Sequence, residues 1–369
     1  MKNKNSIEYL LAVLRAGLWA DAGFTDFHNH RIKETVDWNE VYQLAEEQSI
    51  VGVVLAGIDH FNIKPPQELL FQWIGVVQML EQQNKAMNKF IARLIEKIRG
   101  ADIYTLLVKG QGVAQCYEHP LWRSCGDIDL YLNKSNYINA KQFLAPIASD
   151  VDEENKKMLH LGMCIGNWSV ELHGTMHTEL SRRINNGLDD IHRKIFYEGE
   201  VRSWRNNGVP VFLPSANNDA LIVFTHFIQH FFIEGVGLRQ ICDWCRLLWS
   251  YRKEINLKVL EQRIRKMGLM SEWKVFASLA VDYLGMPKEA MPFYDSATSL
   301  NRKANRVLDR IIMSGNLGHN NDVSYRVKYT GVKYNMVSLW RRLKDFAGLT
   351  LIFPIDAPKF FVHYVYSKI

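Results

Sequence analysis

Asp127 and Asp129 take alternate positions in Gly126-Asp127-Ile128-Asp129-Leu130-Tyr131-Leu132, and a strand of that period sends both carboxylates out of one face. Residues two apart on a strand are separated by roughly 6.5 Å, which suits two acids converging on shared divalent ions for metal-assisted group transfer. Without a cation the two charges repel. Ile128, Leu130 and Leu132 supply the opposite, buried face.

Two further segments extend this acidic face. Ile103 to Val108 reads as an apolar strand that runs into Lys109-Gly110-Gln111-Gly112, with a short helix starting near Val113. A strand, glycine turn and helix start let the backbone approach a phosphate closely and present unpaired N–H groups to it. Downstream, Trp168-Ser169-Val170-Glu171-Leu172-His173 alternates again, placing Glu171 and His173 on one face and Trp168, Val170 and Leu172 on the other. A third carboxylate is then within the same sheet. An Asp-x-Asp pair alone is as well explained by the solvated face of an edge strand, but phosphate loop, paired aspartates and third acid in this order favour function.

Val108-Lys109-Gly110, Arg123, Gly126-Asp127-Ile128-Asp129-Leu130 and Val170-Glu171-Leu172-His173 together resemble the catalytic stretch of uncharacterised bacterial nucleotidyltransferases of the DNA polymerase β superfamily. The helical pattern His226-x3-His230, followed by Arg239 and Asp243, matches as well, so the resemblance spans roughly residues 36 to 250. The chain departs from the pattern at Gln111, where a second small residue is expected. The resemblance implies that Asp127 and Asp129 hold two Mg2+ or Mn2+ ions, and that Glu171 completes the second ion site or accepts a proton. Lys109, Gly110, Gln111, Gly112 and Arg123 would bind the nucleotide phosphates, with His173, His226, His230, Arg239 and Asp243 as substrate contacts. The implied partners are a nucleoside triphosphate and an acceptor whose identity, like the base preference, has no readable code in the chain.

A chain of 369 residues, 47% of them hydrophobic and 12% aromatic, buries a substantial core. Its net charge of +6 suits a polyanionic small ligand and is modest for an obligate nucleic-acid binder. Arg302, Arg306 and Arg310 form an i, i+4, i+8 stripe that reads best as a solvated helix face. Five widely spaced cysteines fit a reducing cytoplasm better than a disulfide framework. Lys2, Lys4 and Ala20-Asp21-Ala22 superficially suggest a secretory signal, but Glu8 and Arg15 interrupt the apolar stretch and favour an amphipathic helix. Phe346 to Ile355 is too short to cross a bilayer.

The expected fold class is α+β, a polymerase β-type mixed sheet embedded between helical regions, with boundaries at residues 1–99, 100–214 and 215–369. Candidate helices cover Ile7 to Trp19, Trp38 to Gln48 with Asp37 as N-cap, Ile50 to Ile58, and Glu68 to Ile98. Strand-like alternation follows from about Asp102 to Pro214, broken by a helix near Ser135 to Leu144, and helices return from Ser215 with a turn at Glu234-Gly235-Val236-Gly237. The basic and aromatic run from Trp340 to Phe361 reads as a tail docking on the core, with an anionic membrane as the alternative. His226 and His230 with Cys242 and Cys245 could form a zinc centre across two helices, but the cysteines lie outside the family pattern. The favoured reading is a metal-dependent transferase of nucleoside monophosphate that releases pyrophosphate. The alternatives are a nucleotide-binding scaffold without turnover, or a transferase acting on RNA or protein.

Overall fold

The computed structural model describes residues 2–20, 36–61, 64–320 and 331–368. Asp21 and Ala22 of the signal-like segment lie outside them. Among the described residues, four helices open the chain, α1 (Lys4–Trp19), α2 (Trp38–Glu47), α3 (Val51–Ile58) and the long α4 (Gln67–Arg99). Asp37 caps α2 as its sequence demands, since Asp37 Oδ1 accepts from the N–H groups of Asn39 and Glu40 at 3.1 Å each, satisfying two of the free donors at the helix start. α1 is not the amphipathic helix expected. Ten of its residues, from Ser6 to Trp19, are buried, and Trp19 Nε1 donates to Leu284 O at 2.6 Å, so it runs through the interior.

The middle of the chain contains β1 (Leu106–Val108), α5 (Gly110–Ala114), β2 (Asp127–Tyr131), α6 (Lys134–Leu144), β3 (Asp150–Val151), β4 (His160–Ile165), β5 (Trp168–His173), α7 (Arg182–Glu198), β6 (Val201–Asn206) and β7 (Val209–Pro214). β1 is half the length its sequence suggested, and α5 starts at Gly110, three residues early. The alternation pattern also hid α7. Its Ile184, Leu188, Ile191 and Ile195 are buried at helical spacing, Ser181 caps its start and Gly199 ends it in the left-handed region at φ 71°. These are ordinary start and stop signals, masked by the polar residues between them.

Five strands form one sheet in the order β1-β2-β5-β4-β3, and β6 pairs with β7 as a separate hairpin. β2 and β5 are parallel, and the other pairs in the large sheet are antiparallel. The fold is therefore α+β with a mixed sheet, consistent with a nucleotidyltransferase. Ile128, Leu130, Val170 and Leu172 point into a core shared with Met87, Ile91 and Ile95 of α4 and with Tyr137 and Leu144 of α6. That apolar layer fixes the strands rigidly and leaves the other face to the acids.

The remainder is helical: α8 (Ala216–Ile233), α9 (Leu238–Ser250), α10 (Leu257–Met267), α11 (Met270–Ser278), α12 (Thr298–Ser314), α13 (Gly331–Thr350) and α14 (Asp356–Lys368). They share one large core with α1 to α3. Phe346, Phe353 and Phe360 of the C-terminal segment pack around Phe232 of α8, at ring-centroid distances of 6.0, 5.5 and 4.9 Å. The tail docks on the core through these rings, while Trp340 stays 63% exposed. Arg306 donates to Leu351 O, and Arg310 pairs with Asp345, so two members of the arginine stripe face α13 and the turn after it. Among the described residues no helix is long and apolar enough to cross a membrane.

Glu272 of α11 is fully buried beside Asp356, the first residue of α14. Burial first, and the neighbouring acid second, push its carboxyl well above the usual carboxylate range. With the folded pKa raised, the stabilising contribution is complete below the unfolded value of about 4.3 and is lost as pH rises through the folded one. Glu272→Gln, which keeps the shape and removes the ionisation, should raise the melting temperature at pH 8 relative to wild type and leave it nearly unchanged at pH 4. Equal shifts at both values in a pH series of thermal melts would rule this out.

Candidate active site

The parallel register of β2 and β5 builds the site. Asp129 lies directly opposite Glu171, Asp127 opposite Ser169, and Tyr131 opposite His173. Cross-strand partners present their side chains on the same face, so Asp127, Asp129, Glu171 and His173 share one. Carboxylate oxygens of Asp127, Asp129 and Glu171 lie within 4.8 Å of one another. No edge strand is involved, since β2 is paired on both sides, and Asp129 is only 2% exposed. A solvated-edge explanation of the Asp-x-Asp pair does not apply.

One buried acid and two half-buried ones on a single face require compensation. Lys109 Nζ donates to Asp129 Oδ1 at 2.7 Å, and His173 Nε2 lies 2.8 Å from the same oxygen and 3.4 Å from Glu171 Oε2. A carboxylate only accepts hydrogen bonds, so in this arrangement Nε2 carries the proton. Burial alone would raise Asp129, but Lys109 and His173 outweigh it and hold its pKa below the usual value. Asp127 is raised, chiefly by the charge of Asp129 and then by burial. Glu171 is held well below the usual range by hydrogen bonds from His160 and His173. Burial would lower Lys109 and His173, yet the carboxylates raise both. This excess of negative charge, relieved only in part at Asp127, fits an oxygen-ligated divalent cation.

Lys109 adopts φ 55° and ψ −141°, a left-handed backbone that costs a non-glycine residue about 1–3 kcal/mol. Such strain persists where surrounding structure enforces it, and here it accompanies a lysine aimed at the acids. Gly110 follows at φ 38°, a backbone conformation that residues with a Cβ rarely adopt, although the space there would admit one, with Cys125 Sγ and Asp127 O at ordinary contact distances of 3.4 and 3.5 Å. Gly112 has another reason: a Cβ there would come within 2.8 Å of Leu213 Cδ2 in β7. Gln111, the departure from the family pattern, turns away from the loop. Its Nε2 donates to Asn84 Oδ1 of α4 at 2.7 Å, and Asn84 in turn donates to the carbonyls of Leu121 and Arg123. The larger residue thus ties the loop to α4 and leaves the mouth of the turn clear.

Arg123 and Asp243 form a buried fork, Nε to Oδ1 at 3.0 Å and Nη2 to Oδ2 at 2.6 Å, with Tyr117 also donating to Oδ1 at 2.9 Å. Arg123 is 4% exposed, so instead of reaching a phosphate it anchors the segment before β2 to α9. Asp243 is the other half of that anchor. Arg239 donates to Ser124 O at 3.0 Å, and its charge acts on Asp127. His226 belongs to the cleft. Burial, then Lys109, His230, His173 and Arg239, hold it far below the usual histidine pKa and therefore neutral. His230 stacks edge-on against it at 4.5 Å and bonds Glu234 at 2.8 Å, one layer further out.

Cys242 and Cys245 are fully buried in α9 and belong to neither of the metal-ligating groups formed by the described residues. The second group is His160, Glu171 and His173. His160 escaped the sequence reading, although His160-Leu161-Gly162-Met163-Cys164-Ile165 alternates in part and pairs its histidine with His173 across β4 and β5.

A family model described as an uncharacterised nucleotidyltransferase matches residues 34–285, well over half of the chain, and the chain belongs to that family. The matched span contains β2, β5, Lys109 and the Arg123–Asp243 fork. No curated protein and no solved structure matches the chain.

Removing one partner of a buried ion pair leaves the other charge uncompensated, at about 3–5 kcal/mol. Arg123→Leu should therefore lower the unfolding free energy by about that amount, while Arg123→Leu with Asp243→Leu recovers at least half of the loss. Urea denaturation of the wild type, both single variants and the double variant measures the coupling; a double variant as unstable as the sum of the singles would reject it.

Proposed function

We propose that this member of the nucleotidyltransferase family transfers a nucleoside monophosphate from a nucleoside triphosphate to a hydroxyl-bearing acceptor and releases pyrophosphate, on a polymerase β-type core. The observation that carries the reading is the clustering of Asp127, Asp129 and Glu171 oxygens within 4.8 Å on paired interior strands, beside a strained lysine. Asp127, Asp129 and Glu171 would hold Mg2+ or Mn2+. Bound there, such ions neutralise triphosphate charge and lower the pKa of the attacking hydroxyl.

The protein's own groups have separable tasks. Glu171, kept strongly ionised by His160 and His173, acts as a ligand and is a poor proton acceptor. Of its two expected roles, the ligand role is the one retained. Lys109 neutralises Asp129 and would meet the β- and γ-phosphates from the same turn, where a point charge would stabilise the leaving pyrophosphate. Gly110 brings the backbone of the same turn close to the donor. Neutral His226 supplies a hydrogen-bonding group on the α8 side without adding charge. Arg123 and Asp243 hold the turn and β2 at fixed separation, which is positioning.

Binding to the native state raises its stability by about 2.7 kcal/mol at a hundredfold excess over the dissociation constant. Thermal melts of wild type with each of four nucleoside triphosphates, with and without Mg2+ or Mn2+, should show a metal-dependent rise for at least one. Asp127→Asn with Asp129→Asn, compared with and without the same ligands, should lose it, and pyrophosphate release should vanish in parallel. A folded wild-type protein with no shift for any nucleotide would overturn the proposal in favour of an inactive scaffold.

A further inference from the structure

The face that carries the three acids also carries two imidazoles to which the transfer reading gives no task beyond their hydrogen bonds to Glu171 and Asp129. His160 Nε2 lies 3.1 Å from Glu171 Oε2, and His173 Nε2 lies 3.4 Å from the same oxygen. The two rings sit 4.7 Å apart, tilted by 35°, and all three ligand atoms fall within 4.8 Å of one another. A first-row ion bound tetrahedrally at about 2.0–2.1 Å spaces its ligands roughly 3.3 Å apart. The two nitrogen–oxygen separations to Glu171 Oε2 match that spacing.

The sheet explains the convergence. His160 and His173 are directly paired across β4 and β5, and Glu171 is paired with Gly162, so the three ligands come from adjacent rows of one face. Gly162 has no side chain to occupy the gap between them. Asp152 Oδ2 fills the place where its Cβ would be, 2.2 Å from that position, and brings a further oxygen to the same face. Side chains on paired strands need little ordering to meet an ion.

We propose that His160, Glu171 and His173 form a second ion site that takes a transition-metal ion of the Zn2+ class in preference to Mg2+. Imidazole nitrogen favours such ions, and His173 Nε2 would give up to solvent the proton it donates to Asp129 on binding one, whereas Mg2+ keeps oxygen ligands. The Asp127 and Asp129 side of the cluster is all oxygen, so the two halves of the site select chemically different ions and share Glu171. Three protein ligands leave a position open for water or an acceptor hydroxyl. The inference rests on the transfer reading only through that shared glutamate.

Co2+ serves as the probe because its bound form absorbs visible light. The full chain, stripped with chelator, is titrated with Co2+ and then with Zn2+ or Mg2+. Expected are a saturable absorption band, its displacement by one equivalent of Zn2+ but not by a tenfold excess of Mg2+, and a loss of Co2+ affinity of at least tenfold in His160→Ala. Circular dichroism melts establish that the variant is folded. His160 is 39% exposed at its side chain, and His160→Gln, of similar length, should show the same loss. Asp127→Asn should keep the band. No band in the wild type, a band unchanged in both His160 variants, or equal displacement by Mg2+ would overturn the site. Nucleotide-dependent melts on the same samples separate the two claims: a Co2+ band without any nucleotide shift defeats the transfer reading alone, and a shift without a band defeats the second ion site alone.

Discussion

The repulsion among three carboxylates on one sheet face is the constraint on which the rest of the site depends. The parallel pairing of β2 and β5 sets Asp129 against Glu171, with Asp127 two residues away. Left alone, these charges would disfavour the strand pairing itself. Lys109 and His173 offset Asp129, and His160 with His173 offsets Glu171. Asp127 is left partly uncompensated and titrates higher than an ordinary aspartate. The folded protein therefore holds an uncompensated demand for positive charge in a rigid place.

Rigidity comes from behind and beside the acids. Behind them, the apolar face of β2 and β5 is closed by α4 and α6. Beside them, α9 reaches the segment before β2 through the Arg123–Asp243 fork and through Arg239 on Ser124 O. Asn84 in α4 receives Gln111 from the turn and holds two carbonyls of the same segment. The lysine–glycine turn and the acidic strand are thus tied to two helices far apart in sequence. Several polar residues that look like substrate contacts in a linear motif carry this bracing, because a buried ion pair fixes geometry more than it adds stability.

Much of the design was legible in the residues. The alternation in 126–132 and 168–173 gave both strands and the face of each acid, and Asp37 and the glycine at 237 marked helix boundaries that the structure has. α7 was missed because its four buried aliphatic side chains are separated by polar residues that obscure a period of 3.6. His160 was missed for a different reason. A lone histidine at a strand start carries no signal until its partner across the sheet is known.

The sequence by itself determined that acids, a lysine–glycine turn and apolar strand faces exist, since periodicity is a local property that any short segment displays. It also determined family membership, through motifs that survive as linear patterns. Only the tertiary structure decided which charged groups meet. Strand order put β5 beside β2 and β4 beside β5, so Glu171 faces Asp129 and His160 faces His173. The long-range packing of α9 assigned Arg123 to Asp243, 120 residues away. Register and helix docking follow from the summed burial of many apolar side chains, a global quantity that no motif of a few residues contains.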